Sequence, residues 1–221
     1  MSRCTSTAMK ALPKAARPRP LHTRRHRVLT DLARIFSTIF NPFLTALALF
    51  VVIAHEKAVG PMSFWVLLFT STFFTSLGPM LYVLWLYATE RITDLDMSVR
   101  GERERVFGAF VVSYGAGTLT LYLMHAPALM TATLAGYTAA SLIVQYITRY
   151  SKISTHALGV TAPLIVLVYL YGVQPLPFFV LIPLVGWSRV WLRAHTIAQV
   201  VAGTALGAFS VLFFLRVFRL V

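Results

Sequence analysis

The sequence predicts an all-α fold: a polytopic bundle of six or seven transmembrane helices, forming one membrane-embedded domain over residues 32–221. Hydrophobic residues make up 57% of the chain and charged residues only 12%, which is far from the composition of a soluble domain. Because lipid offers the backbone no hydrogen-bond partner, each apolar run that crosses the bilayer should be a helix. Seven runs approach or exceed the ~20 residues that a crossing needs. They cover residues 33–54, 62–89, 107–124, 127–148, 154–172, 175–191 and 196–217.

The N-terminal segment, residues 1–31, differs from the rest of the chain. Its first 30 residues contain eight Lys or Arg, three Pro and no acid, which predicts a basic, disordered tail. Arg-rich segments without acids are also typical of cleaved organellar targeting peptides, so that alternative stays open. No secretory signal is evident before residue 31.

Two features of the apolar runs bear on helix packing. Asn41-Pro42 lies inside the first run, where proline removes a helical hydrogen bond. The helix should kink or divide there, and for this reason six spans are expected as well as seven. Gly203 and Gly207 lie four residues apart in the last run and should let another helix approach closely.

The loop between the second and third runs holds a dense group of mixed charges. It contains five of the seven acidic residues of the chain and four arginines. These residues are Glu90, Asp94, Asp96, Glu102 and Glu104, with Arg91, Arg100, Arg103 and Arg105. Taken alone, the loop fits a solvated connector equally well.

A count of membrane crossings predicts that three polar clusters share one face of the bilayer. Two runs separate the charged loop from residues 152–156, and two more separate that segment from residues 188–199. Because an even number of crossings returns the chain to the same side, the cations and histidines of the clusters should converge. They are Arg100, Arg103, Arg105, Lys152, His156, Arg189 and His195.

Several fixed cations beside two histidines suit a phosphate ester. Arginine and lysine neutralise phosphate oxygens, a neutral imidazole can attack phosphorus, and a protonated imidazole can donate to the leaving oxygen. Ser154 and Thr155 begin the fifth predicted helix, where unpaired backbone amides favour an anion. No carboxylate cluster suited to a hard metal is evident, so the chemistry is expected to need no metal or other cofactor. Singly, each residue also fits an anchor at the lipid headgroups.

The segment Ser188-Arg189, five residues, His195, three residues and then the polar Gln199 resembles the third signature of the type 2 phosphatidic acid phosphatase superfamily. The resemblance implies that His195 attacks the phosphate to form a phosphohistidine and that Ser188 and Arg189 bind the phosphate. It also implies that the residue at position 199, usually aspartate in that family, orients the nucleophile.

The other two signatures of that family are present in altered form. Ile153-Ser154-Thr155-His156 approximates Pro-Ser-Gly-His, which implies that His156 protonates the leaving group. The first signature, Lys, six residues and then Arg-Pro, is reduced to Arg105-Val106 with Ser98 at the lysine position. Arg100, Arg103 or Lys152 can supply the missing cation, and the sequence does not choose among them.

Gln199 is the most consequential departure from the family pattern. Its side-chain oxygen can accept a hydrogen bond from the His195 ring but brings no negative charge. At four residues' separation the two side chains are expected on one face of a helix. No acid follows Glu104, so Asp94 and Asp96 are the candidate carboxylate partners of His195.

The resulting expectation is a membrane lipid phosphatase acting on a phosphate monoester or diphosphate of a lipid or isoprenoid. Its alternative is a catalytically weak or inactive homologue that binds or moves a phospholipid. The formal charge of +13 does not indicate nucleic acid, since the basic residues are not interleaved with stacking aromatics. Only Lys57, Arg216 and Arg219 of the 20 Lys and Arg fall on the face opposite the clusters. The positive-inside rule therefore predicts a cytosolic site, in a plasma or organellar membrane.

Overall fold

The computed structural model describes residues 21–95 and 99–221, and within these ranges the chain is helical with no strand. The α-helices are α1 (Leu21–Ile39), α2 (Pro42–Lys57), α3 (Pro61–Thr72), α4 (Gly78–Ala88), α5 (Arg100–Leu123), α6 (Ala128–Thr148), α7 (Thr155–Tyr171), α8 (Leu181–Trp191) and α9 (Ile197–Val217). A π-helical turn (Phe73–Leu77) joins α3 to α4, and a short 3₁₀ helix (Leu176–Val180) precedes α8. The predicted all-α class is confirmed.

Four helical segments in the described part of the chain are long and apolar enough to cross a membrane: Pro61–Ala88, α5, α6 and α9. The bent pair of α1 and α2 makes a fifth if it is counted as one span. Helix α7 has 17 residues, about 26 Å at the usual rise, which is shorter than a ~30 Å hydrocarbon core. The segment Leu176–Trp191 is likewise apolar but short. The predicted count of six or seven spans is therefore not confirmed.

The expected break at Asn41-Pro42 is present. Helix α1 ends at Ile39 and α2 begins at Pro42, with a bend of 45° between them. Pro42 occupies the first turn of α2, where its missing N–H costs no hydrogen bond. The Asn41 side chain caps the helix by accepting the N–H of Phe43 at 2.8 Å.

Helix α1 begins within the segment that the sequence predicts to be a tail. Its described part packs on α8, where Trp191 Nε1 donates to Thr30 Oγ1 at 3.2 Å and Ala33 is fully buried. Helix α1 therefore extends across the boundary predicted at residue 31, because one face of a basic helix has a partner that composition does not show. Residues 1–20 lie outside the described residues.

The π-helical turn ties the second span to its neighbours. In a π-turn the carbonyl of Phe74 would accept from residue 79, but Pro79 has no N–H. Ser113 Oγ of α5 donates to that carbonyl instead, at 2.8 Å, and Ser76 Oγ donates to the carbonyl of Phe43 in α2 at 2.8 Å. These two bonds hold α2 and α5 against the span.

Helix α9 packs closely on α7, as the glycine spacing predicts. A Cβ on Gly203 would collide with the carbonyl of Ser154, and one on Gly207 would lie 2.8 Å from the carbonyl oxygen of Leu158. The backbone N–H of Ser154 also donates to the carbonyl of Gln199 at 3.1 Å. This hydrogen bond joins residues 153–156 to the end of the segment of residues 188–199. The packing of α7 on α9 therefore fixes the relative position of the two predicted motifs.

Candidate functional site

A cavity of about 310 Å³, here called the site cavity, lies where the starts of α2, α5 and α7 meet the ends of α6 and α8. Among its described lining residues no Asp or Glu is found. Its polar lining residues are Asn41, Arg103, Ser141, Thr148, Lys152, Thr155, His156, Arg189, Arg193 and His195. The remaining wall is apolar and aromatic.

Five of the seven residues expected to converge line this cavity: Arg103, Lys152, His156, Arg189 and His195. The three clusters that contain them are separated by dozens of residues in sequence, and the helix ends bring them to one end of the bundle. The crossing count therefore places these side chains together as the structure does, even though the number of spanning helices differs.

Arg100 and Arg105 do not line the cavity. Arg100 Nε pairs with Glu104 Oε1 at 3.0 Å on the exposed surface, and Arg105 is exposed. Arg103 is half-buried and is the one of the three arginines that lines the cavity. Of the candidate cations that the sequence left open, Arg103 and Lys152 therefore line the cavity and Arg100 does not, because successive positions on α5 point in different directions.

Arg189 and His195 are brought together by the turn that ends α8. The carbonyl of Arg189 accepts the N–H of Ala194 at 3.0 Å and that of His195 at 3.3 Å. Arg193 adopts a left-handed backbone conformation, with φ 55°, which folds the chain back over the helix end. The Arg189 side chain is only 5% exposed, and its Nη1 donates to Ser37 Oγ of α1 at 2.6 Å.

His195 and Gln199 meet across a helix cap, not along a helix as predicted. Helix α9 begins at Ile197 with Thr196 as its N-cap, so His195 precedes the helix. Thr196 Oγ1 accepts the N–H of Gln199 at 3.3 Å, and Gln199 Oε1 accepts the N–H of Thr196 at 3.2 Å. This reciprocal capping box holds the Gln199 side chain in a defined position.

The capping box determines which ring nitrogen of neutral His195 carries the proton. A backbone N–H can only donate, so the amide atom of Gln199 that faces Thr196 must be the oxygen. The same Oε1 lies 3.2 Å from His195 Nδ1. Since a carbonyl oxygen cannot donate, Nδ1 must carry the hydrogen and Nε2 keeps the lone pair.

Ser154 and Ser188, both predicted to bind phosphate, are fully buried and do not line the cavity. Ser154 is the N-cap of α7, and its Oγ accepts the N–H of Ala157 at 3.3 Å. Ser188 Oγ donates to the carbonyl of Val185 at 2.7 Å. The predicted contact of these two hydroxyls with phosphate has no counterpart in the cavity lining, because sequence does not distinguish a hydroxyl that bonds to its own helix from one that contacts a ligand.

Thr155 and His156 begin α7 and line the cavity, and the start of a helix is a favourable place for an anion. One turn later, Gly159 lets α7 approach Pro42 closely, since a Cβ at Gly159 would lie 2.9 Å from the proline Cβ. This packing brings the α1–α2 break, with Asn41, to the same cavity.

Asn41 and Arg193 are site residues that the sequence reasoning missed. The sequence marks Asn41 only as part of a helix break. Irregular backbone at membrane depth usually lines a cavity, and that rule could have pointed to Asn41. No sequence signal marked Arg193, because its place depends on a left-handed turn that non-glycine residues rarely adopt.

The acidic loop reaches the site at Leu95, which lines the cavity. Asp94 is half-buried and, with Glu104, lies near enough to Arg103 to attract its positive charge. Asp96 lies outside the described residues. Groups of three or more His, Cys, Asp or Glu that could hold a metal ion are not found in the described ranges.

Comparison with known proteins yields no match to a family model, a curated protein or a solved structure. The interpretation of the cavity therefore depends on its own residues and on the motif resemblance. Its contents are four Lys or Arg side chains, two histidines and the start of α7, above an aromatic wall.

Proposed function

We propose that this chain is an integral membrane phosphatase that removes phosphate from a lipid or isoprenoid monoester or diphosphate. The observation that best supports the proposal is the pairing of two histidines with four cations in one cavity that has no acid among its described lining residues. Such a cavity favours a dianionic headgroup over a cation or a neutral polar group. The apolar wall beside it suits the hydrocarbon part of an amphiphile.

In the proposed reaction, Nε2 of His195 attacks phosphorus while the bond from phosphorus to the leaving oxygen breaks. Protonated His156 gives its proton to that oxygen and becomes neutral. A water molecule then attacks the phosphohistidine and gives a proton back to His156, so His195 and inorganic phosphate are released. Arg103, Lys152 and Arg189 neutralise the equatorial oxygens in both steps.

The alternative function, a weak or inactive homologue that binds or moves a phospholipid, is favoured by one observation. A described partner of His195 Nδ1 is the neutral amide of Gln199. A neutral acceptor sets the tautomer but stabilises the positive ring of a phosphohistidine less than a carboxylate would.

A phosphate-release assay with a matched pair of arginine variants tests the proposal. The purified protein should release phosphate from geranyl phosphate, geranyl diphosphate or phosphatidic acid, and vanadate should inhibit it. Arg103→Ala should lower kcat/KM about tenfold to 100-fold, because a charge-assisted contact contributes about 1.5–3 kcal/mol. Arg105→Ala, on the same helix but outside the cavity, should match the wild type. Equal losses in both variants would contradict the assigned role of the cavity, and tight binding of these lipids without phosphate release would favour the alternative.

We further propose that the site cavity faces the cytosol, because the count of crossings in the sequence assigns most Lys and Arg residues to the cavity's side of the bilayer. Thr93 lies in the loop on the cavity side, and Val173, which is 76% exposed, lies in the turn after α7. In a Cys4→Ser background, an impermeant maleimide added to intact cells should label Val173→Cys and leave Thr93→Cys unlabelled until the cells are opened. Labelling of Thr93→Cys from outside would reverse the assignment.

A further inference from the structure

The site cavity runs inward along two helix faces. On α5 its lining residues lie on successive turns from Arg103 through Phe107 and Phe110 to Tyr114. On α6 they run in the opposite chain direction, from Thr148 through Val144 to Tyr137. Both runs cover eleven steps along a helix, or about 16 Å at the usual rise of 1.5 Å per residue. The cavity is thus a channel with a basic mouth and an increasingly aromatic interior.

Tyr114 and Tyr137 form the inner end of this channel, here called the floor. Their ring centroids lie 6.4 Å apart, and the two residues are 9% and 6% exposed. Tyr137 is also held by an edge contact with Phe50, whose ring centroid lies 6.2 Å away. Two aromatic rings supported in this way make a stiff barrier, since buried side chains occupy few rotamers.

The layer directly beneath the floor is closely packed. Gly117, one turn beyond Tyr114 on α5, has so little space around it that a Cβ would lie 2.8 Å from Phe74 Cγ and 2.9 Å from Leu134 Cδ2. Leu134, one turn beyond Tyr137 on α6, is fully buried. An apolar chain that enters at the mouth therefore meets a solid end at the floor.

We infer that the aromatic interior is a tail-binding site whose floor limits the substrate to a single short hydrocarbon chain. This inference rests on the proposed function and names its substrate class: a prenyl or alkyl phosphate or diphosphate with one tail. A cavity of about 150 Å³ holds one benzene, so the 310 Å³ here holds roughly a dozen heavy atoms. After the five heavy atoms of the phosphate are allowed for, a chain of about seven carbons remains, and two acyl chains do not fit.

A chain-length series measures the floor directly. Phosphate release is followed with isopentenyl, geranyl, farnesyl and geranylgeranyl phosphates and with phosphatidic acid. For the wild type, kcat/KM should be highest with isopentenyl or geranyl phosphate and should fall at least tenfold by geranylgeranyl phosphate, since a single methylene in a tight pocket changes kcat/KM by about 10-fold or more. Tyr137→Ala removes part of the floor above a closely packed layer and should raise the ratio of farnesyl to geranyl activity at least tenfold.

Three further variants separate the floor from general damage to the fold. Tyr137→Phe keeps the ring and should keep the wild-type length profile. Tyr146→Ala removes an exposed tyrosine of the same helix that does not line the cavity, and should also keep it. If Tyr137→Ala does not fold, Tyr114→Ala takes its place in the test. It opens the other half of the floor and should produce the same shift in chain-length preference.

The outcomes distinguish failure of the proposed phosphatase activity from failure of the tail-binding floor. A wild type that releases no phosphate from any member of the series overturns the proposed function itself. An active wild type that treats all chain lengths alike, that prefers phosphatidic acid, or whose profile survives both Tyr→Ala changes, overturns the tail-binding floor and leaves the phosphatase in place.

Discussion

Replacing His195 with alanine should lower phosphate release by a factor on the order of 10⁴ or more, because the variant has no nucleophile to carry the phosphoryl group. Binding of the lipid should change far less, since the four cations of the cavity remain. Labelled phosphate from a radioactive substrate should be trapped on the wild-type chain after an acid-free quench and should be absent from His195→Ala. Unchanged turnover in this variant would end the proposed mechanism.

His156→Ala should show a different dependence on the leaving group. Loss of a general acid typically costs a factor of about 10²–10⁴, but only where the leaving oxygen needs a proton. The loss of kcat/KM, which reports the formation of the phosphohistidine and not its later hydrolysis, should therefore be large with an alkyl phosphate and small with p-nitrophenyl phosphate, whose leaving group is stable as an anion. Equal losses of kcat/KM with both substrates would mean that His156 does not protonate the leaving group.

His55→Ala is the matched control for both histidine variants. His55 is exposed in the last turn of α2 and does not line the cavity. Its replacement should leave turnover, phosphate trapping and leaving-group dependence as they are in the wild type. Any effect at His55 comparable to that at His156 would point to a general loss of folding.

The crossing count was a strong guide to the site because it depends only on whether the number of crossings is even. One cavity is lined by Arg103, Lys152, His156, Arg189 and His195, although the described residues contain four or five helices that are long and apolar enough to span and the count of six or seven is not confirmed. A short apolar helix returns the chain to the opposite end of the bundle whether or not it is long enough to cross lipid alone. Its length therefore affects the count of spans without affecting which side chains meet.

The sequence predicted which segments meet at the cavity better than it predicted what each side chain of those segments contacts. Ser154 and Ser188 are adjacent in sequence to site residues, yet both hydroxyls bond to their own helices. Arg193 lines the cavity only because the backbone there is left-handed. Each case depends on a dihedral angle or a rotation about a helix axis, and composition and spacing carry little information about either.

Substitutions at Gln199 separate the phosphatase from the weak or inactive phospholipid-binding homologue, because the Gln199 side chain is a described partner of His195 Nδ1. Gln199→Ala removes the acceptor and leaves the ring free to take the wrong tautomer. In serine proteases an orienting aspartate changed to asparagine costs about 10⁴ in turnover through this effect. A loss of about 10²- to 10⁴-fold is therefore expected here, together with a lower melting temperature from the broken capping box. Gln174→Ala, at an exposed turn, is the control and should match the wild type.

The carboxylate candidates of the acidic loop can be separated from Gln199 by the same assay. If Asp94 or Asp96 supplies the negative charge that Gln199 lacks, Asp94→Asn or Asp96→Asn should lower turnover without changing the α9 cap. The melting temperature should then stay near that of the wild type, in contrast to Gln199→Ala. Wild-type turnover in both aspartate variants would remove the loop from the mechanism.

Gln199→Glu should raise turnover about fivefold. Glutamate has the length of glutamine, so its oxygens can still accept from Thr196 N–H and His195 Nδ1–H, and its charge favours the first turn of α9. A hydrogen bond to a charged group is stronger by roughly 1 kcal/mol than one between neutral groups, and about 1.4 kcal/mol corresponds to a factor of ten. That support is greatest when the ring becomes positive as a phosphohistidine. If the wild type has a measurable rate and Gln199→Glu raises it, the chain is a working phosphatase with a weakened orienting group. If only Gln199→Glu releases phosphate, the natural chain binds its lipid without cleaving it. If Gln199→Glu is no faster than the wild type, charge at position 199 does not control the reaction.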